Sequence, residues 1–212
     1  MDDTWVRYAE AFTSPQSDLL EEIERDCYAN YETRSMLSGF LQGRILAMLT
    51  SMIRPRMVLE VGTYLGYSAL CFAEGVAEGG RVITLDIDEK NQATARAYAA
   101  RSPFGARIDF RLGPAALIIP TIDAVFDLVF IDADKPGYAR YYDLAFPKVR
   151  TGGFLIADNV LWKGRVTEDE ARHDEATRTM HAFNRKVRED PRVSRVLLPV
   201  RDGLLVMRKE RD

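Results

Sequence analysis

The chain has 212 residues, 47% of them hydrophobic, with a formal net charge of −3 at neutral pH. This length fits one domain with an ordinary core, and the acidic balance excludes a general electrostatic attraction to nucleic acid or anionic membranes. No apolar run approaches the ~20 residues of a membrane span, and the first residues lack the pattern of a secretory signal.

The beginning of the chain, residues 1–55, is predicted to be helical. Apolar residues recur there at helical spacing in two stretches, which is typical of helices that face a core. The first stretch contains Leu19, Leu20, Ile23, Cys27 and Tyr31, and the second contains Leu41, Ile45, Leu49, Met52 and Ile53. Arg54-Pro55 is expected to end the second helix.

From residue 56 onwards the pattern becomes strand, turn and helix. The predicted strands are Met57–Val61, Arg81–Leu85, Arg107–Arg111, Phe126–Ile131 and Gly153–Ala157. The predicted helices between them are Ser68–Val76, Glu89–Ala100, Ala115–Ile119 and Tyr138–Val149. This alternation predicts a Rossmann-like, doubly wound α/β fold with a mostly parallel sheet.

The end of the chain is predicted to complete a seven-stranded sheet. A charged helix at Glu168–Glu189 precedes two strands, Val193–Pro199 and Leu204–Arg208, which flank the short turn Arg201-Asp202-Gly203. Strands joined by so short a turn form an antiparallel hairpin. With no repeat and no flexible linker, residues 1–212 are predicted to form a single domain.

Two apolar strands end in acidic or amide residues. Asp132, Asp134 and Lys135 follow the strand that ends at Ile131, and Asp158 and Asn159 follow the next one. Ligands of open α/β sheets lie beyond the carboxyl ends of the strands, so these side chains are expected to converge at a site. Oxygen ligands suit Mg²⁺ or Ca²⁺ rather than zinc. A helix cap or a surface loop would also account for each acid taken alone.

A glycine-bearing turn follows the first strand. It contains Glu60, Gly62 and Gly66 and leads into a helix near Ser68, with the spacing G-x-x-x-G. This is neither the G-x-G-x-x-G of dinucleotide sites nor a phosphate loop, which disfavours a nicotinamide-dependent dehydrogenase. The turn indicates close backbone approach to a ligand, with a purely structural turn as the alternative.

Asp86 ends the second strand. An acid at this position can accept hydrogen bonds from both ribose hydroxyls of a nucleoside. Helix capping is the alternative, and we assign the cap to Asp88 and the ribose to Asp86.

The cysteines and histidines indicate no redox or zinc chemistry. Cys27 and Cys71 cannot form a disulfide framework, are expected to pack as small apolar residues, and suit a reducing cytoplasm. His173 and His181 are interpreted as surface residues, and two histidines cannot supply a His-rich metal site.

Taken together, the motifs resemble those of the cation-dependent O-methyltransferases of class I, the S-adenosylmethionine enzymes of the catechol and caffeoyl-CoA type. The resemblance covers nearly the whole chain and is greatest to the short bacterial members. It rests on the glycine turn, Asp86, Gly113-Pro114-Ala115, the segment around Asp132, Asp158-Asn159-Val-Leu-Trp162, Met36-Leu-Ser38 and the closing Pro199-Val-Arg-Asp-Gly203.

The resemblance implies a set of site residues. A divalent cation, usually Mg²⁺ but also Mn²⁺ or Ca²⁺, would be bound by Asp132, Asp158 and Asn159, and the catalytic residues would be Lys135, as general base, and Asp132. S-adenosylmethionine would be bound by Ser38, Glu60, Gly62, Thr63, Ser68, Asp86, Ala115 and Asp134. Residues 1–55 would cover the active site, and residues 56–212 would form the Rossmann-like core.

Two positions depart from the family pattern. The catechol enzymes have Ser-Gln where this chain has Ala115-Ala116, so adenine recognition is expected to follow the caffeoyl-CoA pattern. The plant enzymes have Asn where this chain has Lys163, which leaves the substrate contact there open.

The expected reaction is methyl transfer to a hydroxyl of a phenolic, catechol-type small molecule by a cytoplasmic homodimer with no membrane association. One alternative is methylation of a hydroxylated uridine in tRNA, for which the basic residues within Arg178–Arg195 could follow phosphates. Another is a non-catalytic protein that binds a nucleoside on the same fold. Trp162 could stack on an aromatic acceptor or simply belong to the core.

Overall fold

A computed structural model describes residues 3–212 as alternating helices and strands. The helices are α1 (Asp3–Ala11), α2 (Asp18–Asn30), α3 (Gly39–Ile53), α4 (Tyr67–Gly75), α5 (Glu89–Ala99), α6 (Ala115–Thr121), α7 (Tyr138–Ala145) and α8 (Glu175–Glu189). The strands are β1 (Met57–Val61), β2 (Arg81–Asp86), β3 (Ile108–Leu112), β4 (Phe126–Ile131), β5 (Val149–Ala157), β6 (Val193–Leu198) and β7 (Leu204–Lys209). From β1 onwards the predicted order of strands and helices is confirmed, whereas α1 precedes the two predicted helices of residues 1–55.

The seven strands form one mixed sheet in the order β3-β2-β1-β4-β5-β7-β6. The pairs β2–β3, β1–β4 and β4–β5 are parallel, whereas β7 runs antiparallel to both β5 and β6. The predicted α/β class and the antiparallel carboxyl-terminal hairpin are therefore confirmed. Short apolar runs such as Phe126–Ile131 become parallel strands because helices return the chain to the same edge of the sheet.

The chain divides into two compact units. The first unit comprises Met1–Arg56 and Thr63–Gly113, and the second comprises Met57–Gly62 and Pro114–Asp212. The two units are described separately below, and the assignment of residues 1–212 to a single domain stays a prediction.

In the first unit, the face that α3 buries differs from the predicted one. Apart from Leu46, the residues that the helix buries are small or polar: Gly39, Gln42, Gly43, Ala47 and Thr50. Leu41, Ile45 and Leu49 are only half-buried, and Met52 is 74% exposed. The reason is close packing against α4, since a Cβ on Gly43 would lie 2.6 Å from the Tyr67 ring. Apolar periodicity alone does not reveal a backbone that approaches its neighbour this closely.

The stretch Arg34–Ile53 is long and apolar enough to cross a membrane by length and composition, with a mean hydropathy of 1.3. Nearly half of that window, 44%, is buried inside the molecule. The core helix of a soluble protein passes the same test, so the stretch is only a weak indication of a span.

In the second unit, three predicted boundaries are wrong. Helix α7 ends at Ala145 because Pro147 lies in the 3₁₀ turn Phe146–Lys148, and β5 begins at Val149 rather than at Gly153. Helix α8 begins at Glu175 rather than at Glu168. The Asp174 carboxylate accepts the Thr177 N–H at 2.8 Å, which fixes that start.

Candidate active site

The tips of β4 and β5 bring together the acidic residues that the sequence singles out. The two strands are parallel neighbours, with Ile131 opposite Ala157. Asp132 and Asp158 follow these residues, and the Asp158 N–H donates to the Ile131 carbonyl at 3.0 Å. The two carboxylates therefore leave the sheet at the same edge.

Lys135 joins the groups at this edge. Its Nζ donates to Asn159 Oδ1 at 2.5 Å and to the Tyr138 hydroxyl at 2.7 Å, and lies 3.5 Å from Asp132 Oδ1. Asp158 Oδ1 in turn accepts the backbone N–H of Asn159 at 2.6 Å. The second unit thus places Asp132, Lys135, Asp158 and Asn159 in one cluster.

The two carboxylates of the cluster affect each other's ionisation. Burial and the neighbouring carboxylate of Asp158 raise the pKa of Asp132 to about 7, although Lys135 and Arg201 oppose the shift. Burial and the Asp132 carboxylate also raise the pKa of the Tyr138 hydroxyl well above its ordinary value. A cation bound at this place would relieve the repulsion between the two carboxylates.

The donor set fits a hard divalent cation. Within residues 3–212 no group of three His, Cys, Asp or Glu side chains could hold a metal ion, so an amide oxygen would have to complete any such site. Lys135 Nζ already lies within hydrogen-bond distance of two of the three predicted ligands, Asp132 and Asn159. Two carboxylates and an amide oxygen are ligands that Mg²⁺ and Ca²⁺ accept.

The segment after Asn159 forms one wall beside Lys135. Asn159, Trp162 and Lys163 all have left-handed backbone conformations, with φ between 47° and 57°. The Trp162 ring centroid lies 5.8 Å from Lys135 Nζ, and Trp162 is half-buried. The ring is therefore neither a core residue nor fully exposed.

In the first unit, Asp86 holds the glycine turn. Its Oδ2 accepts the backbone N–H groups of Thr63 and Tyr64 at 3.0 and 2.7 Å, and its Oδ1 accepts the Asp88 N–H at 2.8 Å. Asp88 caps α5 through the Asn91 N–H at 2.8 Å, which confirms the predicted cap. Asp86 therefore has a structural role that the sequence does not reveal, and its predicted contact with ribose stays a prediction.

The same turn is attached to the beginning of the chain through Tyr64. This residue has a left-handed φ of 48°, and its hydroxyl lies 3.0 Å from Thr33 Oγ1 and 3.6 Å from Cys27 Sγ. Burial raises the pKa of Tyr64 to about 12. The turn next to Asp86 is thus fixed from both its backbone and its side chain.

Most of the other residues predicted to bind the cofactor are buried. In the first unit these are Ser38, Thr63 and Ser68, and in the second they are Glu60 and Ala115. Asp134 instead accepts hydrogen bonds from the Gly137 N–H at 3.0 Å and the Tyr141 hydroxyl at 2.5 Å. It caps the turn that carries Lys135, and a contact with the cofactor would be additional.

Gly62 has a structural requirement of its own. Its φ is +102°, and a Cβ there would lie 1.8 Å from the Asp132 carbonyl oxygen. The glycine predicted to allow approach of a ligand thus already allows approach of the backbone that carries the predicted metal ligand.

Sequence reasoning missed three residues that shape the cluster. Tyr138 binds Lys135 and donates to the Asp158 carbonyl at 3.2 Å. Asp202 accepts the Lys163 N–H, and Asn184 Nδ2 donates to the Val160 carbonyl at 2.7 Å. Of these three, only Tyr138 could be inferred from the sequence. It lies three residues after Lys135 at the start of a helix, a spacing that brings the two side chains close together.

The prediction of two surface histidines is wrong for His173. This residue is buried, its Nε2 lies 3.2 Å from the Glu168 carbonyl, and its ring centroid is 5.5 Å from that of His181. His173 ends the 3₁₀ turn Glu170–Arg172, which replaces the continuous helix predicted from Glu168.

Comparisons with known proteins agree on one family. A family model described as O-methyltransferase matches residues 10–210. A probable caffeoyl-CoA O-methyltransferase of Dictyostelium discoideum is 29% identical, over 96% of this chain and 90% of its own length. The caffeoyl-CoA O-methyltransferase of Petroselinum crispum is 31% identical, over 92% of this chain and 85% of its own.

Solved structures extend the likeness to the fold. An O-methyltransferase of Bacillus cereus in complex with SAH has a TM-score of 0.86 and 30% identity, over 99% of this chain and all of that one. An SAH-bound methyltransferase of Podospora anserina has a TM-score of 0.89 and 28% identity, over 98% and 94% of the two chains. The chain therefore belongs to the O-methyltransferase family of the caffeoyl-CoA type, a family of S-adenosylmethionine-dependent enzymes.

Proposed function

We propose that this protein is a Mg²⁺-dependent O-methyltransferase that moves a methyl group from S-adenosylmethionine to a hydroxyl of a catechol-like small molecule, or of another one with vicinal oxygens. The observation that carries the proposal is the cluster of Asp132, Asp158, Asn159 and Lys135 at the tips of β4 and β5. It combines oxygen ligands for a hard cation with an amine that can take a proton.

The proposed binding of S-adenosylmethionine is supported by neighbours that were solved with SAH and by the hydrogen-bonded turn at Asp86. The residues assigned to the cofactor are Ser38, Thr63, Ser68 and Asp86 in the first unit and Glu60, Gly62, Ala115 and Asp134 in the second. Asp86 keeps lone pairs that the turn does not use, so a ribose hydroxyl could still donate to it.

The proposed reaction requires the protein to accept one proton and to orient the acceptor hydroxyl. The acceptor oxygen forms a bond to the methyl carbon as the bond between carbon and sulfur breaks, S-adenosylhomocysteine leaves, and the hydroxyl proton passes to Nζ of a neutral Lys135. Asp132, Asp158 and Asn159 would hold the cation, which when bound lowers the pKa of a vicinal hydroxyl and orients it. Tyr138 keeps Lys135 in place through the contact at 2.7 Å.

The ion pairs of the second unit weigh against a tRNA substrate. Three of the basic residues that could follow phosphates are already paired with acids: Lys186 with Asp143, Arg192 with Asp190, and Arg185 with Glu170 at 4.0 Å. A phosphate would have to displace these carboxylates. The face is therefore better explained as a solvated, ion-paired surface.

We also propose a homodimer in the cytoplasm. Several large apolar side chains of the first unit are exposed. They occur on α1, directly after it, and on α3: Trp5, Tyr8, Phe12, Met48 and Met52. A second copy of the chain is the partner that we propose for them. A reducing compartment suits Cys27 and Cys71, which are both buried and form no disulfide.

The experiment that tests the proposed function is transfer of a labelled methyl group from S-adenosylmethionine, in the presence of Mg²⁺, to a panel of acceptors. The panel contains catechols, flavonoids, CoA thioesters and undermodified tRNA, with Asp158→Ala as the matched inactive control. We expect transfer to at least one vicinal-oxygen small molecule and little effect of salt on its KM. Transfer to tRNA alone, with a KM that rises steeply with salt, would favour the alternative. Binding of S-adenosylmethionine without transfer to any acceptor would favour a non-catalytic protein.

A further inference from the structure

The segment that follows Asn159 holds an unfavourable backbone conformation. Trp162, Lys163 and Gly164 have successive φ values of 47°, 57° and 79°, so three residues in a row are left-handed. Only glycine adopts this region without cost, and the segment Val160–Gly164 therefore needs contacts that compensate for the strain at Trp162 and Lys163.

The turn of the β6–β7 hairpin supplies most of these contacts. The Val160 N–H donates to the Gly203 carbonyl at 3.2 Å, and the Leu161 N–H donates to the Asp202 carbonyl at 2.8 Å. The Lys163 N–H donates to the side-chain Oδ1 of Asp202. Asp202 thus binds the segment with both its backbone and its side chain, and only the side-chain bond reaches the left-handed residues.

The packing leaves little freedom on either side of this contact. Gly203 has a φ of +90°, and a Cβ there would lie 2.6 Å from Leu161 Cγ. From α8, Asn184 Nδ2 donates to the Val160 carbonyl at 2.7 Å. The start of the segment is therefore fixed from two elements. Further along, the Trp162 N–H donates to the Asn159 carbonyl and the Trp162 carbonyl accepts the Arg165 N–H, both at 3.0 Å. Both bonds are local, so the Asp202 carboxylate supplies the contact by which the hairpin holds the left-handed residues.

We propose that Asp202 is a positioning residue that, through the Lys163 N–H, holds Trp162 beside Lys135 and so sets which acceptors fit there. Trp162 is the aromatic wall at this place, with its ring centroid 5.8 Å from Lys135 Nζ. Without the bond from the Lys163 N–H to the Asp202 carboxylate, the strained residues change conformation and the Trp162 ring leaves its position beside Lys135. The effect of Asp202 on the choice of acceptors rests on the proposed function, whereas its effect on the position of Trp162 does not.

The position of Trp162 can be measured without any activity. The chain has only two tryptophans, Trp5 and Trp162, so Trp5→Phe leaves Trp162 as the only fluorescent indole. In this background we expect Asp202→Ala to raise the acrylamide quenching constant at least about twofold, because a released segment exposes the ring. Asp202→Asn should stay close to the parent, because an amide oxygen still accepts the Lys163 N–H.

The matched control is Asp169→Ala. Asp169 lies in the same unit and also accepts a backbone N–H, from Ala171 at 3.0 Å, but it is exposed and has no hydrogen bond to Val160–Gly164 among those that the structure gives for it. Quenching in the control should equal that of the parent. Unchanged quenching in Asp202→Ala, or equal increases in Asp202→Asn and Asp202→Ala, would overturn the positioning role.

Two further measurements complete the test. Amide exchange in the unaltered protein should show protection of the Lys163 N–H, and fast exchange there would overturn the proposal even if Asp202→Ala failed to fold. In kinetic assays, Asp202→Ala should raise the KM for the acceptor about tenfold with the Kd for S-adenosylmethionine unchanged, and Asp202→Asn should restore it. A positional effect without any methyl transfer in the parent would contradict the proposed function and leave the positioning role standing.

Discussion

Replacement of Asp86 separates a structural role from a binding role at the same carboxylate. Asp86→Ala leaves the buried N–H groups of Thr63 and Tyr64 without their acceptor, while the exposed N–H of Asp88 can turn to water. A buried donor that loses its partner costs about 1–3 kcal/mol, so the loss of both should lower the free energy of unfolding by about 2–6 kcal/mol. That is a large part of the roughly 5–15 kcal/mol that stabilises a typical domain.

Asp86→Asn keeps one side-chain oxygen for the turn and removes the charge. We expect it to lower the free energy of unfolding by only about 1 kcal/mol, but to weaken S-adenosylmethionine binding at least about tenfold if the carboxylate also binds the ribose. The control is Asp88→Ala, which removes only the cap of α5 and should cost about 1 kcal/mol without changing the Kd.

The assays for these variants are urea unfolding followed by circular dichroism and calorimetric titration of S-adenosylmethionine under conditions where each variant is folded. An Asp86→Ala protein as stable as the wild type would refute the structural role. An Asp86→Asn protein with an unchanged Kd would move the ribose contact to another residue.

Three further predictions concern residues of the second unit: Gly62, Lys135 and Asp190. Gly62→Ala should lower the free energy of unfolding by more than about 3 kcal/mol in thermal unfolding, because its Cβ would lie 1.8 Å from a carbonyl oxygen. The control Gly79→Ala, in the first unit, also has a positive φ but no atom within 4 Å of its Cβ, and should cost only about 1–2 kcal/mol. Equal costs for the two variants would contradict the steric reason. Lys135→Met should lower kcat at least about a hundredfold with little change in KM in steady-state assays, and a fully active variant would mean that no general base is needed. The hydrogen bonds from Arg192 hold the pKa of Asp190 far below its ordinary value, so Asp190→Asn should cost about 1–2 kcal/mol at pH 7. Because this pKa is lowered by folding, the cost should shrink as the pH of the unfolding assay falls below about 4, and a cost that is independent of pH would contradict the ion pair.

The sequence predicts those parts of the site that local patterns determine. Apolar runs that end at Ile131 and Ala157 identify strands, and parallel neighbours end at the same edge, so the proximity of Asp132 and Asp158 follows from the pattern alone. The same reasoning predicts the parallel sheet and the final hairpin. It also predicts the cap at Asp88, because helix caps are formed by residues close in sequence.

The parts that the sequence does not predict depend on contacts between distant residues. Asp202 lies 39 residues after Lys163, and Asn184 lies 24 residues after Val160, so no local pattern connects either pair. The predicted buried face of α3 is wrong for a similar reason. Small residues there serve a close approach to another helix, which outweighs the usual preference for burying large apolar side chains.

The most direct test of the account is the dependence of methyl transfer on a divalent cation. The purified protein is treated with EDTA, passed into metal-free buffer and assayed with S-adenosylmethionine and a catechol, with and without added Mg²⁺; Asp158→Ala is assayed in parallel. We predict that chelation abolishes transfer, that Mg²⁺ restores it in the wild type and not in Asp158→Ala, and that both proteins bind S-adenosylmethionine equally well. Full activity after chelation would contradict the account.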